Sequence, residues 1–296
     1  MSERVVFLTV VRSRAEKKRA RMLMDSIRAF GGALCNCPMW VFETNSLDAP
    51  CRDLAGNGIQ VIPLQMPETV RHYEFGDKVF ACAQAETRVT TEIHSLVWID
   101  SNCLIVQPPL LFDLGGTFDA AVRPVHIRNI GLPTSDPLDV YWKTIYAAVG
   151  VSDIASTVES FVDEQPLRAY FNSHAFAIDP QKGLLRRWLD LFERLVCDQA
   201  FQAHACADER HQIFLFQAIW SALLVSSLEP ERIRSLPPTY NYPYNLHARV
   251  PLEKRPPSLN DLVCFTYEDR SLDPKAMTDI QIAEPLRAWL NAHWQA

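Results

Sequence analysis

The amino-terminal part of the chain alternates short apolar runs with amphipathic segments. Val5 to Val11 is a continuous apolar run rich in β-branched residues, which is typical of a strand buried on both faces. Apolar residues then recur at helical spacing from Ala20 to Phe30, and Gly31-Gly32 marks the end of that pattern. The pattern therefore predicts a buried strand followed by an amphipathic helix.

Four more short apolar runs follow within about the first 125 residues. They predict strands at 39–42, 58–62, 96–99 and 118–122, with a helix over 77–88. Such alternation indicates an α/β fold, with a mostly parallel central sheet flanked by helices. In sheets of this kind ligands bind beyond the carboxyl ends of the strands, so the residues that follow each strand are candidate site residues.

The second half of the chain has a less regular pattern. Its predicted elements are a helix over 138–148, a strand pair or one long bent strand over 167–178, and helices over 185–196, 213–224 and 282–294. Two stretches rich in Pro, Tyr and Asn lie between the last two helices, at 236–247 and 254–269. They predict an ordered, loop-rich extension rather than a flexible linker.

Composition narrows the classes of function. The net charge is −6, from 29 basic and 35 acidic residues, which argues against a nucleic-acid partner. The eight cysteines include no CxxC pair, so neither a structural zinc site nor a disulfide framework is expected. The apolar run at the amino terminus precedes its basic residues, unlike a signal peptide, and no stretch is apolar enough for a membrane span. We therefore expect a cytoplasmic protein.

One polar break stands out in SLVWIDSNCLIVQPP, residues 95 to 109. Asp100, Ser101 and Asn102 follow the predicted strand at 96–99, and the chain then returns to apolar residues. A buried carboxylate without a partner is costly, so Asp100 is either a turn residue or a ligand-binding residue. Its position at the carboxyl end of a strand favours ligand binding.

Several motifs, taken in order, resemble those of GT-A-fold glycosyltransferases, the nucleotide-diphospho-sugar transferases, and among them the glycogenin and bacterial galactosyltransferase-like branch. The resemblance spans most of residues 4 to 270, and single motifs are weaker evidence than their order. The motifs are Phe7-Leu8-Thr9 with its following helix, Lys78 in GDKVFACAQAE, VWIDSNCLIVQPP, YFNSHAFAIDP at 170–180, and LPPTYNYP at 236–243.

The resemblance implies a single GT-A-like domain over 1–296 that transfers a sugar from a nucleoside-diphosphate sugar to an unknown acceptor. Its nucleotide-binding half covers about 1–125, and its acceptor-side half and extension cover about 126–296. The implied donor-binding residues are Thr9, Lys78, Asp100, Ser101 and Asn102. The implied catalytic residues are Asp100, Asn172, Asp208 and Glu209.

The resemblance also implies a divalent cation, Mn²⁺ or Mg²⁺, which in this chain would be held by Asp100, Asn102 and His247, would bind weakly, or would be absent. The family motif is Asp-x-Asp, whereas this chain has Asp-Ser-Asn, and an amide oxygen ligates a cation without bringing charge. The family's glycine after Phe-Asn is also replaced, since Phe171-Asn172 is followed by Ser173-His174. Both departures fall on the expected site.

Other interpretations stay open at this level. The missing carboxylate favours a degenerate member of the fold that binds a nucleotide or glycan without turnover. A thiol enzyme using Cys103 or Cys35 has little support, because neither position predicts a low thiol pKa. Asp208 would also serve as a helix cap, and His126 and His174 would also fit as structural histidines.

Overall fold

A computed structural model describes residues 4–44, 50–268, 272, 277 and 279–294. The strands are β1 (Val5–Val11), β2 (Met39–Glu43), β3 (Ile59–Pro63), β4 (Ser95–Ile99), β5 (Cys103–Ile105), β6 (Ala120–Val122), β7 (Thr157–Glu159), β8 (Pro166–Arg168), β9 (Ala175–Ile178), β10 (Ile233–Ser235), β11 (Tyr242–Pro243) and β12 (Cys264–Thr266). The α-helices are α1 (Arg14–Phe30), α2 (Gly76–Glu86), α3 (Val140–Val149), α4 (Leu184–Cys197), α5 (Gln199–His204), α6 (Glu209–Ser227) and α7 (Leu286–Trp294).

The central sheet has the strand order β10-β6-β9-β4-β1-β2-β3. Strands β4, β1, β2 and β3 run parallel, and so do β6 and β10. Strand β9 joins these two groups and runs antiparallel to both β4 and β6. The mostly parallel α/β sheet predicted from the sequence is therefore confirmed.

Helices cover the central sheet on both faces. Val6, Leu8 and Val10 of β1 pack in the core that includes α2, α4 and α6, whereas Val5 and Phe7 pack against α1 on the opposite face. Because side chains alternate along a strand, this two-sided burial explains why the β1 sequence is apolar throughout. No helix in the described ranges is long and apolar enough to cross a membrane.

Beyond the central sheet, β5 pairs with β12, and β12 with β11, in a three-stranded sheet. The turn 100–102 therefore sends the chain from β4 in the central sheet to β5 in this smaller one. Its core includes Tyr242, Phe265 and Tyr267, so the loop-rich extension is ordered by packing in the described residues.

Three predicted elements of the second half need correction. The segment 167–178 is neither a strand pair nor one bent strand: β8 pairs with β7, whereas β9 enters the central sheet. Helix α6 begins at Glu209, earlier than predicted, because Asp208 caps it. Helix α7 begins at Leu286 rather than at 282, just after Pro285.

Candidate functional site

The junction of β4 and β9 places Asp100 beside His174. The two strands pair antiparallel with Ile99 opposite Ala175, so the residue after β4 faces the residue before β9. The Asp100 backbone N–H donates to the His174 carbonyl at 2.8 Å. The Asp100 carbonyl accepts from the Cys103 N–H at 3.0 Å, which closes the turn into β5. Asp100 is thus a turn residue whose side chain lies at the carboxyl end of a central strand.

The Asp100 carboxylate accepts hydrogen bonds from three side chains. The Lys78 ammonium lies 2.9 Å from Oδ1 and 3.0 Å from Oδ2. Trp98 donates its indole N–H to Oδ1 at 2.6 Å, and His174 Nδ1 lies 2.8 Å from Oδ2. The carboxylate is only 12% exposed, so these contacts hold it in one orientation.

The surroundings of Asp100 keep it ionised. Burial is the largest influence and by itself would raise the pKa, but the Lys78 charge and the hydrogen bond from His174 outweigh it. Together they hold the pKa of Asp100 well below its usual value.

Lys78 comes from α2 and is 1% exposed. Besides Asp100, its ammonium donates to the Ser173 carbonyl at 2.9 Å. The rings of Phe75, Trp98 and Phe216 lie 5.3–5.5 Å from the ammonium and shield it from solvent. A buried ammonium requires such compensation, and the assignment of Lys78 to donor binding stays a prediction.

Arg12 is a second cation near the site that the motif analysis missed. It follows β1, the parallel neighbour of β4, as Asp100 follows β4. Its guanidinium binds Asp77 of α2 and Glu16 of α1, and lies 5.6 Å from the centroid of the Phe75 ring. The sequence signal was available, because Arg12 occupies a strand-end position like that of Asp100.

A buried amide network lies beside Asp100. The Asn172 side-chain oxygen accepts from the His174 N–H at 2.7 Å and from the Asn241 amide at 2.6 Å. Asn241 in turn accepts from the Thr266 hydroxyl at 2.6 Å. Asn172 therefore orients the segment that carries His174 and links it to the small sheet.

One further polar residue, His126, supports the same region. The His126 ring stacks at 6.0 Å on that of His174, and its Nε2 lies 2.8 Å from the Asn241 carbonyl. Burial, then the charge of Arg123, holds the pKa of His126 well below its usual value. His126 is therefore a neutral wall of the site, whereas the side chain of His174 is 34% exposed.

The remaining predicted donor-binding residues have varied surroundings. The Asn102 amide donates to the Tyr267 carbonyl at 3.3 Å, and Ser101 is buried in the turn. Thr9 is 4% exposed in β1, and its hydroxyl has no hydrogen-bond partner in the part of the chain that the structure describes. Their assignment to a donor stays a prediction.

Asp208 and Glu209 lie at the exposed start of α6. Asp208 accepts from the backbone N–H groups of Arg210 and His211, so it caps the helix. Gln217, which binds the Ser173 hydroxyl at 3.0 Å, lies roughly 13 Å further along the helix axis. The described contacts of Asp208 thus connect it to His211 and not to Asp100, and its catalytic assignment stays a prediction.

The three predicted metal ligands have separate hydrogen-bond partners. His247 Nδ1 lies 2.8 Å from the Tyr242 hydroxyl, and its Nε2 lies 3.9 Å from Asp279. Among the described residues, no group of three or more His, Cys, Asp or Glu side chains is arranged to hold a metal ion. The Asp100 oxygens already accept from Lys78, so this donor set does not fit a divalent cation.

The structure does not support Cys103 as a reactive thiol. The side chain is fully buried in β5, and burial raises the pKa of the thiol well above its usual value. Its sulfur lies 3.4 Å from the Thr266 hydroxyl, so Cys103 belongs to the packing beneath the turn.

Comparison with known proteins agrees with the resemblance seen in the sequence. The model of the Rhodobacterales glycosyltransferase domain matches residues 7–219, and the chain belongs to this family. A search of curated proteins finds no significant match.

Solved glycosyltransferase structures share the fold. The galactosyltransferase LgtC, in complex with donor and acceptor sugar analogs, is 13% identical with a TM-score of 0.54. An active-site mutant of LgtC is 12% identical with the same TM-score, and both matches cover 97% of this chain and 95% of LgtC. GlyE of Streptococcus pneumoniae is 14% identical with a TM-score of 0.49, covering 100% of this chain and 61% of GlyE. The two matches to LgtC confirm the GT-A fold.

Proposed function

We propose that this protein transfers a sugar from a nucleoside-diphosphate sugar to an acceptor, and that Asp100 organises the donor site. The observation that carries the proposal is the Asp100 carboxylate, held ionised by Lys78 at the carboxyl end of the central strand β4. Ligands of open α/β sheets bind at such strand ends. Membership of a glycosyltransferase family supports the same reaction class.

Each residue has a distinct role in this proposal. Asp100 fixes His174 and Lys78, and the more exposed groups His174, Arg12 and Asn102 face the donor. Arg12 is assigned to the diphosphate, since guanidinium groups bind phosphate oxygens well, although its charge is shared with Asp77 and Glu16. Asn172 is proposed on the sugar side, because it orients the backbone of His174.

Thr9 and Ser101 are assigned to the donor, and Asp208 or Glu209 to the sugar or acceptor. These assignments rest on the motif resemblance and on the place of the residues in the family's order of motifs. The donor base, the sugar, the acceptor and the stereochemistry of transfer are left open in the proposal.

Titration calorimetry against UDP-, GDP- and CDP-sugars tests the proposal, with and without Mn²⁺. We expect one class of nucleotide sugar to bind wild-type protein and to lose affinity in Asp100→Asn. Asp190→Asn is the matched control, because Asp190 is exposed on α4. Absence of binding to every nucleotide sugar would refute the proposal.

A second candidate is a degenerate relative that binds a nucleotide or glycan without turning it over. Asn102 in place of the second carboxylate favours it, because the donor site then has one negative charge fewer for binding a cation. Release of nucleoside diphosphate from a bound donor, measured over an acceptor panel, separates the two candidates. Release that depends on Asp100 would rule out the degenerate relative.

A further inference from the structure

We propose that the Asp100 site binds its ligand without a divalent cation, because Lys78 and His174 fill the carboxylate positions at which a metal would be ligated. This inference deepens the proposed function, and only its nucleotide measurements rest on that function. The direct test is whether Mn²⁺ binds to the protein in the absence of nucleotide.

The Asp100 carboxylate offers a limited number of acceptor positions. An ionised carboxylate has about four lone-pair positions for donors or metals. Lys78 contacts both oxygens, Trp98 donates to Oδ1, and His174 lies within hydrogen-bond distance of Oδ2. These four contacts equal the number of lone-pair positions that the carboxylate offers.

The surroundings of Lys78 hold its ammonium beside Asp100. The side chain is 1% exposed, and its ammonium is surrounded by the rings of Phe75, Trp98 and Phe216. Its other acceptor is the Ser173 carbonyl, which lies beside the same site. A dication on Asp100 would therefore lie next to a buried ammonium, where like charges repel strongly because little water screens them.

The other two predicted metal ligands, Asn102 and His247, are held by hydrogen bonds of their own. The Asn102 amide is held by the Tyr267 carbonyl, and His247 Nδ1 by the Tyr242 hydroxyl. His247 is only 4% exposed and lies in the packing of the small sheet. These hydrogen bonds fix both side chains, and among the described residues no group of three His, Cys, Asp or Glu side chains comes together to hold a metal ion.

Lys78 also performs one function of the metal in an Asp-x-Asp site, which is to offset the negative charge of a carboxylate. A metal offsets the carboxylates that would otherwise repel an incoming diphosphate. Here one carboxylate remains, and one fixed ammonium at 2.9 Å offsets it. The replacement of the second Asp by Asn102 is then consistent with the fixed ammonium, since a second carboxylate would leave an uncompensated negative charge.

Electron paramagnetic resonance of Mn²⁺ tests the inference, because bound and free Mn²⁺ give different signals. We expect wild-type protein to leave the free Mn²⁺ signal unchanged, and its nucleotide affinity to differ by less than about twofold between Mn²⁺ and EDTA. One bound Mn²⁺ per chain that is lost in Asp100→Asn would overturn the inference. If no nucleotide binds, the proposed function fails, whereas the Mn²⁺ signal of the protein alone still decides the metal question.

Asn102→Asp separates the two explanations for the absence of metal binding. If the filled carboxylate of Asp100 is the cause, this variant still binds no Mn²⁺. A gain of Mn²⁺ binding in Asn102→Asp alone would show that the missing charge is the cause, and would overturn the inference. A gain that requires Lys78→Met together with Asn102→Asp supports it, with circular dichroism confirming that the variants are folded.

Discussion

Replacing Lys78 with methionine measures how strongly the buried charge pair stabilises the site. Methionine keeps an unbranched apolar side chain of nearly the same length, but removes the ammonium. Asp100 then keeps the donors Trp98 and His174 and loses the charge that offsets its burial. Burial of Asp100 is then less fully offset, so we expect its pKa to rise from the lowered value.

The distance between the charges sets the size of the effect. At the 2.9 Å separation of the ammonium and Oδ1, an effective dielectric constant of about 20 gives roughly 6 kcal/mol of attraction. The cost of removing both charges from water offsets part of this, and loss of one partner from a buried pair typically costs about 3–5 kcal/mol. We expect Lys78→Met to lower the free energy of unfolding by about 3–5 kcal/mol.

Urea denaturation followed by tryptophan fluorescence measures this loss. Asp100→Asn should cost a similar amount, because it leaves the Lys78 ammonium buried without a compensating negative charge. The double variant Lys78→Met/Asp100→Asn leaves neither charge, so we expect it to be more stable than the sum of the single losses predicts.

The pH dependence provides an independent check. Because the folded pKa of Asp100 is lowered, its contribution is fully present above the unfolded pKa of about 3.9, and is lost as the pH falls through the folded value. Asp100→Asn should therefore flatten the acid limb of the stability curve. Additive single losses together with an unchanged acid limb would refute the reasoning.

Three further variants test neighbouring contacts. Trp98→Phe removes the N–H donor to Asp100 while keeping a ring. The free energy of unfolding from urea denaturation should fall by about 1.5–3 kcal/mol. A loss below about 0.5 kcal/mol would contradict a hydrogen bond to a charged carboxylate. Glu86→Gln should lower the urea midpoint through a loss of about 1–3 kcal/mol, because the fully buried carboxylate accepts from two backbone N–H groups at the start of α4. His126 has a folded pKa below its unfolded value, so stability should fall by up to about 1.4 kcal/mol per pH unit below about pH 6.5. His126→Gln should reduce that slope, and an unchanged slope would rule out His126 as its source.

The sequence alone predicted the central sheet because its strands are buried on both faces. Continuous apolar runs such as β1 and β4 have no polar face, and few structures other than a covered parallel sheet accommodate them. The reversed direction of β9 was not predictable in this way. An apolar run of four residues carries no information about strand direction, which depends on pairings with β4 and β6.

Part of the arrangement of the candidate site could also be predicted from the sequence. Asp100 and Lys78 were found from motif order, and the position of Asp100 at a strand end was readable from the sequence. The pairing of Asp100 with His174 spans 74 residues and depends on the register of β9, which no local pattern reveals. The hydrogen bond from Trp98 was equally unpredictable, because a tryptophan within an apolar run is expected to pack in the core rather than to donate to a carboxylate.

Strand β9 also has a consequence for how the molecule folds. In the described sheet it supplies the hydrogen-bonded connection between the β4 group and the β6 group. The contact of His174 with Asp100 spans 74 residues, and that of Ser173 with Lys78 spans 95. Both form only once β9 has entered between its neighbours. Such long-range pairing is a slow step in folding. Recovery of ligand binding during refolding is therefore expected to follow insertion of β9 rather than formation of the amino-terminal parallel strands.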